Sequence, residues 1–175
     1  MDNQITVKIK NSTTSTITET IPAGTTLLTL SQAHAQITRH PILVATVDNE
    51  LKDLSHSLQF DSTIEFLDIT NPNGYRAYQR SVSFLMIYAA KVVLGRKARV
   101  VISHSINKNY FCELPDHPHP SEELLAQIEA QMRQAVSDDH KIQKRTLQND
   151  AAIKLAGEFG LKDKQQLLNI ATVQQ

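Results

Sequence analysis

Apolar and polar residues alternate over residues 4–10, with Ile5, Val7 and Ile9 on one side, the period of a half-buried strand. A turn over 11–15 leads to a second β-rich run, 16–21, closed by Pro22-Ala23-Gly24. Thr25 or Thr26 can cap a helix in which Leu27, Leu28, Leu30, Ala33, Ala35 and Ile37 recur at helical spacing; it must end near His40-Pro41, because proline disfavours helical geometry in the residue before it. Residues 42–47 read as a buried strand, 48–50 as a tight turn, 51–54 as a short continuation and 62–69 as a last strand. This order predicts a helix laid across a mixed sheet.

The pattern changes after Asn71-Pro72-Asn73-Gly74, a run of breakers that reads as a linker. Residues 81–94 carry apolar side chains nearly all round a helix, which predicts a buried helix capped by Gly95. Residues 99–106 and 110–114 flank a tight turn at 107–109 and predict a hairpin. After a proline-rich loop, Ser121 can cap a helix whose first turn holds Glu122 and Glu123 and whose stripe is Leu124, Leu125, Ile128, Met132, Ala135 and Val136. Residues 142–147 suggest another strand, Asn149 a cap for a helix from 150 to about 159, and 162–171 a last helix. The whole is an α+β chain with domains at 1–70 and 75–175 joined by a linker at 71–74.

Charge sharpens this division. The 175 residues are neutral overall, but residues 1–70 hold four basic and eight acidic side chains while the remainder hold fourteen and ten. Between Asp68 and Glu113 stand seven bases, Arg76, Arg80, Lys91, Arg96, Lys97, Arg99 and Lys108, with no acid among them. Such a run suits phosphate or RNA contact through counter-ion release, although Arg96 and Lys97 are also explained by the negative end of the preceding helix. The absence of tryptophan and the low aromatic content disfavour a dedicated base-stacking platform. No run of eighteen apolar residues and no basic-then-apolar leader is present, so a cytoplasmic location is expected. The single Cys112 cannot close an internal disulfide.

The hairpin, the segment IPAGTTLLTLSQ, the strand-turn-strand ILVATVDNELKDL and the strand STIEFLDI resemble a TGS domain, a β-grasp (ubiquitin-like) module found in threonyl-tRNA synthetases, some GTPases and (p)ppGpp synthetases. Residues 78–168, above all IEAQMRQAVSDDHKIQKRTLQNDAAIKL, resemble the second additional domain of threonyl-tRNA synthetases, the editing domain that hydrolyses mischarged tRNA. The resemblance implies a TGS domain followed by a partial editing-like α+β domain, truncated at its C-terminus. The same pair of domains precedes the P-loop kinase domain of uridine-kinase-like proteins.

The resemblance also places two histidines, four apart, at the start of the long helix of the editing domain, and a cysteine and a further histidine much later. Here Arg80 and Phe84 stand at the two helical positions, and the chain stops before the later pair. Arginine is no base near neutral pH and phenylalanine has no polar group, so no catalytic residue is assigned. That departure favours the uridine-kinase-like relative. The expectation is therefore a non-catalytic regulatory, ligand- or RNA-binding module whose partner is a C-terminal kinase domain beyond residue 175, with ATP and Mg needed only by that domain. No G-x-x-x-x-G-K-[ST] run occurs within the chain itself. The alternatives are an N-terminal fragment of a threonyl-tRNA synthetase and a free-standing RNA-binding module.

Two smaller constellations remain. Cys112, His117 and His119 do not make a metal site: three prolines stiffen the loop and a fourth ligand is not evident. His104 and Ser105, with Lys108 and Tyr110, resemble the HS-x-x-K-x-Y segment of the kinase-like group; neighbouring strand residues face opposite ways, so ligand or phosphate contact is expected there rather than catalysis. The candidate phosphate, RNA or ligand contacts are thus Arg76, Arg80, Lys91, Arg99, His104, Ser105, Lys108 and Tyr110.

Overall fold

A computed structural model describes residues 3–10, 15–106, 109–143 and 145–173. The expected 11–15 and 107–109 turns fall largely outside these residues. The chain is α+β and divides into two compact units, Met1–Val82 and Ser83–Gln175.

The first unit is built on a five-stranded sheet in the order β2-β1-β5-β3-β4, with β1 Gln4–Lys10, β2 Thr16–Pro22, β3 Val44–Val47, β4 Glu50–Lys52 and β5 Ser62–Leu67. β1 and β5 run parallel at its centre and every other pairing is antiparallel, the mixed sheet of a β-grasp. The alternation read from the sequence decides which face is buried. Ile5, Val7 and Ile9 of β1 and Ile64 and Phe66 of β5 join Ala45, Val47 and Leu58 in one core. The helix α1, Leu27–Ala33, closes that core with Leu27 and Leu30.

α1 is shorter than its sequence pattern suggests. Thr26 caps it, its side chain accepting from the Thr29 N–H, but regular helix ends at Ala33 and a single 3-10 turn, Ala35–Ile37, follows. Before it, Pro22-Ala23-Gly24-Thr25 is a turn in which Thr25 N–H donates to the Pro22 carbonyl, and φ of 91° at Gly24 calls for glycine. Asp48 and Asn49 both have positive φ, at 49° and 69°, and connect β3 to β4 as a two-residue hairpin of the type whose twist matches the strands.

The run Asn71–Gly74 is not an extended linker. It starts the helix α2, Pro72–Leu94. Each residue that signals a break in the sequence has a helix-starting role here: Pro72 sits at the first helical position, where a missing N–H costs nothing, and the Asn71 side chain accepts from Asn73 N–H at 2.9 Å. Gly74 is required for another reason. A Cβ there would lie 1.9 Å from the Asp68 carbonyl oxygen, so the helix is launched directly off the end of β5. The division into compact units falls within α2, between Val82 and Ser83.

In the second unit α2 is not buried all round, as its composition suggests. Ala89 and Ala90 are buried, and pack with Ile128 of α3, Glu122–Ser137, and with Val93, Val100, Leu114, Leu124 and Met132. Phe84, Tyr88 and Val92 remain exposed, because α3 covers one side of the helix only and no strand of this unit lies across the other among the described residues. Gly95 follows the helix with a φ of 98°, as expected of its cap. Strands β6, Val101–Ile106, and β7, Asn109–Glu113, form the predicted hairpin. Ser121 caps α3, accepting from Leu124 N–H at 3.2 Å.

The strand expected at 142–147 is absent: residues 141–143 and 145–148 are exposed and irregular. Only Ile142 and Leu147 are apolar there, and a lone extended segment has no ladder to stabilise it. The helix α4, Asn149–Glu158, starts one residue earlier than expected, with Gln148 in the capping position and the Asn149 amide donating to the Leu168 carbonyl of α5, Lys162–Val173.

Asp68, at the end of β5, is one of two buried polar residues among those described. Its carboxylate accepts from Thr70 Oγ1 at 2.5 Å, Thr70 N–H at 2.9 Å and His40 N–H at 3.2 Å, and the Thr70 hydroxyl chiefly holds its pKa below the ordinary value. Two predictions follow from this junction. Gly74→Ala should destabilise the first unit by ~3 kcal/mol, read from urea unfolding followed at the amides of β1 and β5. Because the folded pKa of Asp68 lies below the unfolded value of about 3.9, its charge stabilises the fold above that pH and the contribution fades as pH falls through the folded pKa. Asp68→Asn should therefore cost about 1–2 kcal/mol at neutral pH, with the gap to the wild type shrinking below about pH 4.

Candidate nucleic-acid interface

The seven bases of the acid-free run divide between the two units, and folding treats them differently. Arg76 and Arg80 lie one turn apart on the first half of α2, at the i, i+4 spacing that puts them on one face. Both are exposed, and neither makes an ion pair among the described residues. No acidic residue occupies the first turn of α2. Two fixed positive charges thus project from one helical face of the first unit, where phosphates can reach them.

In the second unit three of the bases hold the structure together. Lys91 Nζ donates to the Arg96 and Ala98 carbonyls, each at 2.9 Å, and to the Phe159 carbonyl at 3.4 Å. An ammonium has three donors, and here all three close the chain around the end of α2 onto the end of α4. The Arg96 guanidinium lies over the Phe159 ring, 4.8 Å from its centroid. Arg99 binds Asp116 Oδ1 through Nη2 at 3.0 Å and Nε at 3.3 Å, and this pairing holds the Asp116 carboxyl below its usual pKa. Lys91 and Arg96 have carbonyls and a ring as partners, whereas Arg99 faces a carboxylate of opposite charge. Lys97 is exposed, and Lys108 lies outside the described residues.

The HS-x-x-K-x-Y segment falls on the β6–β7 hairpin. His104 and Ser105 pair in register with Phe111 and Tyr110. Tyr110 is exposed, as is every residue of β7, so this strand is open to a ligand along its length. Cys112, also on β7, has its thiol pKa raised by desolvation, which makes it a poorer nucleophile than a free cysteine.

Arg80 and Phe84 occupy i and i+4 of α2, so the helix does present that pair of positions on one face, but with a permanent cation and a hydrocarbon ring. No group of three or more His, Cys, Asp or Glu residues comes close enough to hold a metal ion among the described residues. His34 is held against Glu19 at 3.2 Å, and His140 packs edge-on against Tyr88, with ring centroids 6.0 Å apart. No helix of the described residues is long and apolar enough to cross a membrane.

Comparison with known proteins agrees with part of the sequence reading. No family model matches the chain. A threonine–tRNA ligase of Fusobacterium nucleatum is 32% identical over 110 residues, covering 63% of this chain and 18% of that protein. One of Acetivibrio thermocellus is 30% identical over 116 residues, 66% of this chain and 18% of the relative. One of Pelobacter propionicus is 28% identical over 150 residues, 85% of this chain and 23% of the relative. The chain is homologous to part of the threonine–tRNA ligases. It spans about a fifth of the length of these curated relatives. Nothing in the comparisons supports the uridine-kinase-like setting, which the replaced histidines favour at the level of sequence.

Lys91 gives the sharpest prediction for the second unit. Lys91→Met keeps the apolar stem and removes the ammonium, leaving the Arg96 and Ala98 carbonyls without their donor. A loss of roughly 1–2 kcal/mol is expected in thermal or urea unfolding of this unit.

Proposed function

We propose that the chain corresponds to the N-terminal TGS and editing-like region of a threonyl-tRNA synthetase, and serves as a binding and positioning module for tRNA without hydrolysing it. The observation that carries this reading is the homology to threonine–tRNA ligases over 63–85% of the chain, combined with Arg80 and Phe84 at the helical positions where the resemblance puts the editing histidines. Homology at this level supports a shared scaffold. It does not require shared chemistry, and an ester hydrolase needs a base or a metal-bound water that these two side chains cannot supply.

Binding, by contrast, asks only for accessible positive charge. Arg76 and Arg80 supply it on α2, and the exposed β6–β7 ribbon with Tyr110 adds polar and aromatic surface in the second unit. The sharpest test is filter binding of tRNA across a salt series, beside a deacylation assay on seryl-tRNA. Affinity should fall with salt with a log–log slope of roughly −2, about −0.7 to −0.9 for each phosphate neutralised, and Arg80→Ala should bring that slope about one unit closer to zero. Deacylation should not rise above the uncatalysed background. Turnover of seryl-tRNA, or no binding at about 50 mM salt, would overturn the reading.

A further inference from the structure

The loop between β4 and β5 in the first unit holds a large apolar side chain in water on a rigid support. Phe60 is 79% exposed, the most exposed of the large hydrophobic residues described. Its neighbours on both sides are fixed. Leu58 is 1% exposed in the core, with Leu58 N–H donating to the Thr25 carbonyl at 2.9 Å and its own carbonyl accepting from Gly24 N–H at 2.6 Å. Upstream, the His56 and Leu54 carbonyls accept from Leu27 and Leu28 N–H at the start of α1. Downstream, Asp61 Oδ1 accepts from Thr6 N–H at 2.7 Å and Ser62 Oγ donates to the Phe60 carbonyl at 2.8 Å. The loop is therefore tied to α1 and β1 along its length, and the exposure of Phe60 is not that of a loose tip.

Beside Phe60 runs a groove of about 400 Å³, floored by the buried Val47 and Leu58 and walled by Glu50, His56, Gln59 and Phe60 itself. It lies against β4, the terminal strand of the sheet. Its lining carries Asp48 and Glu50 against Lys52, and Asp53 and Asp61 adjoin lining residues in the chain. Lys52 is ion-paired with Glu50 at 2.7 Å, which holds the Glu50 carboxyl below its usual pKa, and the pair adds no net positive charge.

These features select an occupant. An aromatic side chain carried on an anchored backbone beside an apolar floor is the kind of anchor that carries binding energy, since the loop itself need not be ordered on binding. An acidic rim repels phosphate and anionic lipid and attracts lysine and arginine. We propose that the Phe60 groove docks a basic, amphipathic segment of a partner protein, an apolar side chain entering beside Phe60 and flanking Lys or Arg residues meeting the acidic rim. This surface is separate from the arginines of α2 and does not depend on the tRNA-binding reading.

The test uses the full chain, isotope-labelled, at low salt, with two synthetic peptides as probes: an amphipathic helix of leucine and lysine, and its twin with glutamate in place of lysine. The lysine peptide should shift amide resonances within 47–62, and its dissociation constant should rise at least about tenfold in Phe60→Ser and in Glu50→Lys, while the glutamate twin leaves the spectrum unchanged. Both positions are exposed, so resonances outside the groove should stay in place in both variants. Binding that survives Phe60→Ser, shifts confined to other residues, or equal response to the glutamate twin would overturn the proposal. So would the same amides responding to oligouridylate or phosphatidylserine vesicles, or shifting with protein concentration alone.

Discussion

At the end of β5 the chain places a carboxylate where three donors converge. Asp68 accepts from His40 N–H, Thr70 N–H and Thr70 Oγ1, and its own carbonyl lies where a Cβ on Gly74 would sit 1.9 Å away. Strand β5 lies between β1 and β3, so whatever fixes its end also fixes the centre of the sheet. The bond to His40 ties in the loop that leads to β3, and the bonds to Thr70 shape the turn into α2. An amide at this position would offer one acceptor oxygen and no charge for donors that now share two. The direction in which α2 leaves the sheet, and with it the placement of Arg76 and Arg80 in the first unit, depends on this junction.

Much of the first unit was legible because its signals are local. Period-two alternation gave β1 and β5 and a β-rich run gave β2, each to within a residue or two, the threonine before α1 and Ser121 before α3 announced their caps, and the turn after Val47 announced a hairpin. Failures came where one local signal has two structural uses. Asn71-Pro72-Asn73-Gly74 is composed of breakers, yet asparagine caps, proline begins helices and glycine allows close approach; which use prevails depends on Asp68, which is close in space for reasons outside the tetrapeptide. The apolar circumference of α2 likewise suggested burial, but burial needs covering elements, and in the second unit α3 covers only one side. At 142–147 an extended pattern had no neighbouring strand to pair with.

The same distinction governs the basic residues. Seven bases without an acid suggest a patch when written along a line, but a side chain with three donors is also a good way to close a helix terminus. Lys91 is used in that way, Arg96 is spent on a ring and Arg99 on Asp116. Sequence alone could flag Arg96 and Lys97 through the helix dipole. It held no sign of Lys91's role, because two of its partners come from the chain just beyond the helix and the third from the end of α4. The acidic counterpart at 47–65 was visible as composition, yet its significance rests on Phe60, whose exposure becomes meaningful only once Leu58 and Asp61 are seen to be anchored.

The replaced positions on α2 bear on function more than the overall identity does. A scaffold can persist at 26–32% identity because a core tolerates many apolar exchanges, so likeness to ligases constrains the fold far more tightly than the reaction. Chemistry depends on a few atoms. With Arg80 and Phe84 at i and i+4, α2 presents a cation and a hydrocarbon ring on one face, and neither is a proton acceptor. Guanidinium and imidazole are not equivalent at such a position: an arginine is a donor suited to anions, and an imidazole can serve as a general base.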